Sequence, residues 1–404
     1  MNLHDQDEQK LFSPEFTKNP YPAYERLREE DPVHQVRFPD GQLGWLVTRY
    51  ADAEAVLKDP RFIKDFSKLF GGSMDEMSVF AQNMLFSDPP DHKRLRGLAQ
   101  KAFTPKMIEG MKPRIQEITD ELLDGFEGQS TVNLIDEFAF PLPIIVICEI
   151  LGVPSKDRDK FRIWSNSLIE GTSGEAGVSV YEHMNEFIRY LGEWFAKVRK
   201  DPGDDLISRL IEAEEAGDRL TEKELYGLVS LLIIAGHETT VNLIGNTVLT
   251  LLKHPEQQHE LCVQPELIGP AIEESLRLNG PVEFSTSRWA AEEIEYGGKT
   301  IHRGDLVIVA LNAANHDPEL FDHPELFDHP ELFDIHREKS AHLAFGKGIH
   351  FCLGAPLARL EGQTAIDGLL KRFPEMTLAV PEDQLEWRPG MIVRGVRELP
   401  VRMG

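Results

Sequence analysis

With 404 residues, 41% of them hydrophobic, the chain can bury a large core. Its net charge of −25 repels phosphate, which excludes nucleic acid and anionic membrane surfaces as general partners. The three cysteines, Cys148, Cys262 and Cys352, have no zinc or disulfide spacing, and Met1 to Lys10 holds no apolar leader or anchor, so a reducing, cytoplasmic setting with no membrane is expected.

Near the N-terminus, Val33 to Phe38 and Leu43 to Thr48 flank Pro39-Asp40-Gly41, a turn signal between two β-rich runs that predicts a hairpin. A short helix over Ala51 to Lys58 follows and closes at Asp59-Pro60. Residues 61–90 are apolar without a helical or strand period; Phe62, Phe66, Met74, Met77 and Phe86 suit either loop packing or a pocket wall. Asp88-Pro89-Pro90-Asp91 starts a helix on which His92 and Arg96, four apart, share a face and could reach one anion. Residues 91–114 carry seven Lys or Arg against two acids, a local +5 in an acidic chain, which suits an acidic partner.

The apolar run Pro141 to Cys148 is too short to span a bilayer and reads as a core helix. Residues 170–179 are small and flexible, as a mobile lid would be. Thr221 and Glu224 form a capping box at the head of the longest helical signal, which runs to about Leu252. In its middle stand Ala235-Gly236-His237-Glu238-Thr239-Thr240, where glycine, an acid and two threonines interrupt an apolar helix. Such local inconsistency marks functional sites, because a buried carboxylate needs a partner, water or a use.

Glu274 and Arg277 lie at i, i+3 on a helix from Ala271 to Leu278, a weak signal alone. Residues 318–335 state one hexapeptide three times: Pro-Glu-Leu-Phe-Asp-His twice, then Pro-Glu-Leu-Phe-Asp-Ile. The stretch Phe345-Gly346-Lys347-Gly348-Ile349-His350-Phe351-Cys352-Leu353-Gly354 sets a cysteine among glycines that let the backbone approach a large planar group. A chance match to its four key positions is expected about once in a thousand such chains, which favours a ligand thiol over a buried small hydrophobe. A helix over Ala355 to Leu370 follows.

Three motifs in this order, A-G-x-E-T-T, E-x-x-R and F-x-x-G-x-x-x-C-x-G, resemble the cytochrome P-450 family over nearly the whole chain, and the lack of an anchor resembles its soluble bacterial members. The resemblance implies a mostly α fold with a small β region, one domain over 1–404 whose β-rich parts lie at 30–60, 282–310 and 375–404. It implies heme b (iron protoporphyrin IX) between the Gly236 helix and the Cys352 loop, with Cys352 as iron ligand and Phe345, Gly346, Gly354, Ala235 and Gly236 against the cofactor. His92, Arg96, Arg288 and His350 are then the propionate ligands, and Glu274 with Arg277 a structural ion pair. The implied reaction inserts one atom of O2 into an apolar small molecule, by hydroxylation or epoxidation. Gly236 leaves room for oxygen, and Glu238 with Thr239 organises water for proton delivery.

No flavin or nicotinamide fingerprint is present, so electrons are expected from a ferredoxin or flavodoxin with an NAD(P)H-dependent reductase, the enzyme itself being a monomer. A peroxide-driven hydroxylase and a non-catalytic heme-thiolate sensor are the alternatives; the acid and alcohol pair speaks against both. Pocket candidates are Phe86, Ile233, Val282, Phe284, Ile392 and Val393, all apolar. The chain departs from the family at Leu326 and Leu332, where Arg or His often completes the Glu274 and Arg277 network. A looped-out duplication is the favoured reading, beside a shifted register that puts His323, His329 or Arg337 in that place, or a sequence artefact.

Overall fold

The computed structural model of the chain describes residues 11–70, 79–170, 178–215, 220–320, 329–337 and 341–404. Met74 and Met77, residues 171–177 of the lid expectation, and residues 321–328 of the hexapeptide repeat, with His323 and Leu326, lie outside the described residues.

The turn at Asp40-Gly41 joins β1 (Val33–Arg37) to β2 (Leu43–Val47), antiparallel with Val33 opposite Val47. With β3 (Phe62–Ile63), β4 (Arg288–Ala290) and β5 (Leu306–Val309) they make a five-stranded sheet in the order β1-β2-β5-β4-β3. β2 and β5 are parallel, Gly44 to Val47 beside Leu306 to Val309, so one ladder joins segments far apart in the chain. A three-stranded sheet pairs Thr131–Asn133 and Thr377–Leu378 with Pro400–Arg402.

Helices form most of the rest. Those around the site are α1 (Asp91–Ala102), α2 (Pro105–Asp124), α3 (Pro141–Leu151), α4 (Arg158–Glu170), α5 (Glu222–Lys253), α6 (Ile268–Leu278) and α7 (Ala355–Arg372). α5 starts at the capping box: Thr221 accepts from the Glu224 backbone N–H, and the Glu224 carboxylate accepts from that of Thr221. Among the described residues it alone is long and apolar enough to cross a membrane, yet 72% of its most apolar window is buried inside the protein, as in a central core helix. α3 packs closely on it: a Cβ at Gly236 would stand 3.0 Å from Ile147 Cδ1.

Glu274 and Arg277 on α6 are fully buried and joined by two hydrogen bonds, Nε to Oε2 at 2.8 Å and Nη2 to Oε1 at 2.7 Å. Arg277 also donates to the carbonyls of Pro330 (2.6 Å) and Leu332 (3.0 Å), both in the third hexapeptide copy. That copy is docked, with Phe333 and the following Ile335 buried. Arg337 Nε donates to Glu274 Oε1 at 3.0 Å and so takes the third place in the network. A side chain at Leu332 is not needed there, because its backbone oxygen and Arg337 supply the contacts.

Candidate active site

Between β5 and α7 the Cys352 loop is shaped by two glycines in the left-handed region, Gly346 at φ +67° and Gly348 at φ +71°. At Gly348 a Cβ would also lie 2.7 Å from the Leu57 carbonyl, so a side chain has neither the dihedral nor the space. The Cys352 backbone N–H donates to the Phe345 carbonyl at 2.9 Å and closes the loop. The thiol lines one cavity, with Phe345, Gly346, Leu353 and Gly354 around it. Cys352 is exposed to the cavity, yet the protein atoms crowded around its sulfur desolvate it and push its pKa above the ordinary thiol value, against the opposing backbone N–H groups of Gly354 and Ala355 and the positive charges of Arg96 and Arg359. Arg359 lies over the Phe345 ring, 4.5 Å from its centroid, and is itself held by Glu273 at 2.6 Å and 2.8 Å.

α5 forms another wall of that cavity. Leu231, Ala235 and Thr239, with Leu232, Gly236 and Thr240, recur at helical spacing and line it. Thr239 Oγ1 donates to the Ala235 carbonyl at 3.0 Å, which leaves its lone pairs free to accept. Gly236 lines the cavity, and a Cβ there would also require the Ile147 side chain to shift, so the close packing of α3 on α5 favours glycine alongside the expected room for oxygen.

Glu238 does not line the cavity. It is 2% exposed, and its Oε2 accepts from Arg388 Nη1 at 2.8 Å while Arg388 Nη2 donates to Asn166 of α4 at 2.6 Å. His237 Nε2 is 3.4 Å from Oε1, with the ring's other nitrogen 2.6 Å from the Ile233 carbonyl. Burial alone would raise the Glu238 carboxyl; His237 and the Arg388 guanidinium outweigh it and hold the group at about 2. The expected sharing of water by Glu238 and Thr239 is therefore not what the fold brings together: one turns to Arg388, the other to the cavity.

One edge of the cavity is basic. His92, Arg96, Arg288 and His350 all line it, and the His92 and His350 rings are 4.4 Å apart. Nε2 of each ring is buried without a hydrogen-bond partner. Arg96 donates only to the Phe351 carbonyl (2.6 Å) and buried Arg288 only to that of Thr286 (3.3 Å), so neither is neutralised by a carboxylate among the described residues. Burial lowers His92 and Arg288, the latter to about 10, and burial with the charges of Lys64, His92, Arg288 and Arg96 lowers His350 to about 2. Four basic side chains and two orphaned nitrogens call for an anion. Together with one sulfur donor across an apolar cavity, they fit an iron porphyrin, whose carboxylates would meet the bases and whose metal would meet the thiol.

Of the pocket expectations, Val282 lines this cavity. Phe284 and Val393 line a second cavity with Phe12, Trp387 and Met391 instead. Phe86, Ile233 and Ile392 line neither: Met84 and Leu85 face the first cavity in place of Phe86, and Ile233 is on the far side of α5 from Ala235 and Thr239. Three residues were not singled out by sequence reasoning. Glu361 of α7, nine residues beyond Cys352, lines the cavity with a buried, unpartnered Oε2, and burial raises its carboxyl well above the usual range. Glu361 falls in the row Leu357, Ala365 and Leu369 at four-residue spacing, and an acid in that apolar row was the available signal. Arg388 and buried Lys64 had no local signal, since their partners are distant in sequence.

The sequence profile of the family described as Cytochrome P-450 matches residues 165–264 and 265–396. A cytochrome P-450 (107B1) of Saccharopolyspora erythraea is 48% identical over 97% of each chain. The vitamin D(3) 25-hydroxylase of Pseudonocardia autotrophica is 44% identical, covering 98% of this chain and 97% of its own. A crystal structure of a myxobacterial cytochrome P-450 in complex with myristic acid superposes with a TM-score of 0.92 at 41% identity, covering 98% of this chain and 99% of that one. A thiol loop facing a helix across a cavity with a basic edge is thus matched in sequence and in fold: the chain belongs to the cytochrome P-450 family, monooxygenases with a heme-thiolate iron cofactor that insert one atom of O2 into apolar small molecules with electrons from separate redox partners.

Proposed function

We propose that the cofactor is heme b, which Cys352 would hold through its sulfur, with Phe345, Gly346, Gly354, Ala235 and Gly236 lining its site and His92, Arg96, Arg288 and His350 placed to receive its propionates. The observation that carries this reading is the convergence of one thiol and four basic side chains lacking carboxylate partners on a single cavity. When bound, the heme supplies oxygen activation, with the thiolate pushing electron density toward O–O cleavage.

The chain's own part is to exclude water, orient the substrate and manage protons. Leu85, Leu231, Leu232 and Val282 give an apolar wall that disfavours charged molecules. One relative is a vitamin D(3) 25-hydroxylase and another is in complex with myristic acid; both molecules are elongated and mainly apolar, and we assign this chain a substrate of that class. Thr239 accepts a hydrogen bond at Oγ1 from a group beside it in the cavity. Glu238 enters proton transfer only when Arg388 releases it, since its proton affinity is too low while the ion pair stands.

The reading extends to partners. Arg94 and Arg114 are spent on Glu224 and Glu149, so the basic dock narrows to the exposed Lys93, Lys101, Lys106 and Lys112. An acidic ferredoxin or flavodoxin, itself reduced by an NAD(P)H-dependent reductase, fits that face. The ladder between residues 44–47 and 306–309 supports a single working unit, and we place it in the cytoplasm, off the membrane and monomeric. The test is a carbon monoxide difference spectrum of the reduced protein, in wild type and in Cys352→His. The thiolate signature should be present in the first and lost in the second; its survival in the variant overturns the assignment.

A further inference from the structure

Lys64, just beyond β3, is 1% exposed, a rare position for an ammonium. Its Nζ donates to Thr286 Oγ1 and to the Ser287 carbonyl, the latter at 2.8 Å. The ammonium has three donors, and these two neutral acceptors leave its charge uncompensated. Asp88 is close enough to act on it electrostatically, but the Asp88 carboxylate is committed to backbone N–H groups of Lys64 and Asp65, each at 3.0 Å. Among the described residues Lys64 makes no ion pair. Burial and the neighbouring Arg288 charge push its pKa well below the ordinary value, as expected where the balancing anion is supplied from outside the chain.

The position says which anion. Thr286, which holds the ammonium, lines the Cys352 cavity beside Arg288. Two adjacent buried cations, Lys64 and Arg288, both lack a carboxylate, and one dianionic edge would serve both.

We propose that Lys64 is a further cofactor-positioning residue, a buried cation that balances the propionate edge from behind Thr286 and Arg288. The inference rests on the heme reading above. Removing its charge weakens heme retention and makes the bound iron harder to reduce, because reduction adds a negative charge that a nearby cation favours.

The experiment compares Lys64→Gln and Lys64→Met with wild type as holoenzymes, reading hemin transfer to apomyoglobin and the iron reduction potential. Gln can keep donating to Thr286 and Ser287 without the charge, whereas Met can do neither. Hemin transfer about tenfold faster and a more negative potential in both variants is the expected result. A Gln variant that matches wild type in both readings overturns the inference, whatever Met does, because hydrogen bonding alone then explains the residue. If neither variant accumulates, Lys64→Arg decides: its accumulation with hemin supports a charge requirement, and its failure assigns Lys64 to the fold alone and overturns the inference. A wild type that holds no hemin sinks the heme reading itself, whereas hemin-bound wild type with unaffected variants sinks only the role of Lys64.

Discussion

Glu238 on α5 and Glu361 on α7 are equally buried, at 2% and 1% exposure, and their surroundings drive them to opposite charge states. Glu238 has His237 at 3.4 Å and Arg388 at 2.8 Å, and the two hold it at about 2. Glu361 has an unpartnered oxygen and is pushed well above the carboxylate range by burial. The difference teaches that burial sets only the direction of the cost, and a partner decides whether the proton stays. It also separates duties: the acid that lines the cavity is the one whose proton burial favours, and the acid of the sequence motif is turned away and paired.

The strongest way to break the contrast is Arg388→Ala. It leaves Glu238 buried with only His237, 3.4 Å away, as a partner, and should cost about 3 kcal/mol in urea unfolding of the holoenzyme; a loss below ~1 kcal/mol would mean that Arg388 is not what holds the carboxylate. Acid titration comes next. Glu238 has a depressed folded value, so its contribution is full above the unfolded value of ~4.3 and fades as pH falls through about 2, an effect of about 3 kcal/mol. The wild type should lose stability over that window more steeply than Glu238→Gln, and parallel curves would count against the pairing.

Glu361 has the opposite sign. Its folded value is raised, so the wild type is favoured below ~4.3 and penalised increasingly as pH climbs toward the folded value. Glu361→Gln should therefore gain clearly in stability at pH 8 and almost nothing at pH 4. A gain independent of pH would place its origin elsewhere.

Thr239→Ala sharpens the comparison on the chemical side. It loses one hydrogen bond, to Ala235, so stability should change by no more than about 1 kcal/mol. Product formed per NAD(P)H consumed should nevertheless fall severalfold, with more oxygen leaving as hydrogen peroxide; unchanged coupling would remove Thr239 from proton handling. The smallest effect is expected far from both acids, on deleting His323 to Asp328. The docked copy that serves Arg277 persists after the deletion, so heme content and Tm should stay nearly unchanged, and loss of heme would show that the extra copy is part of the support for α6.

What the sequence alone determined is local or rests on spacing. The hairpin at Asp40-Gly41, the Thr221 capping box, the Glu274 and Arg277 pair and the glycines around Cys352 each depend on neighbours within a few residues, so composition and order suffice to read them. The tertiary structure decided which buried charges have partners. Arg388 reaches Glu238 across 150 residues, Lys64 reaches Thr286 across 222, and Arg337 reaches Glu274 across 63. It also decided that Leu85 rather than Phe86 faces the cavity, and that Gly236 answers also to Ile147. The physical reason is that helical phase and electrostatic neutralisation depend on how elements are docked, and docking is set by the whole core at once rather than by any local run of residues.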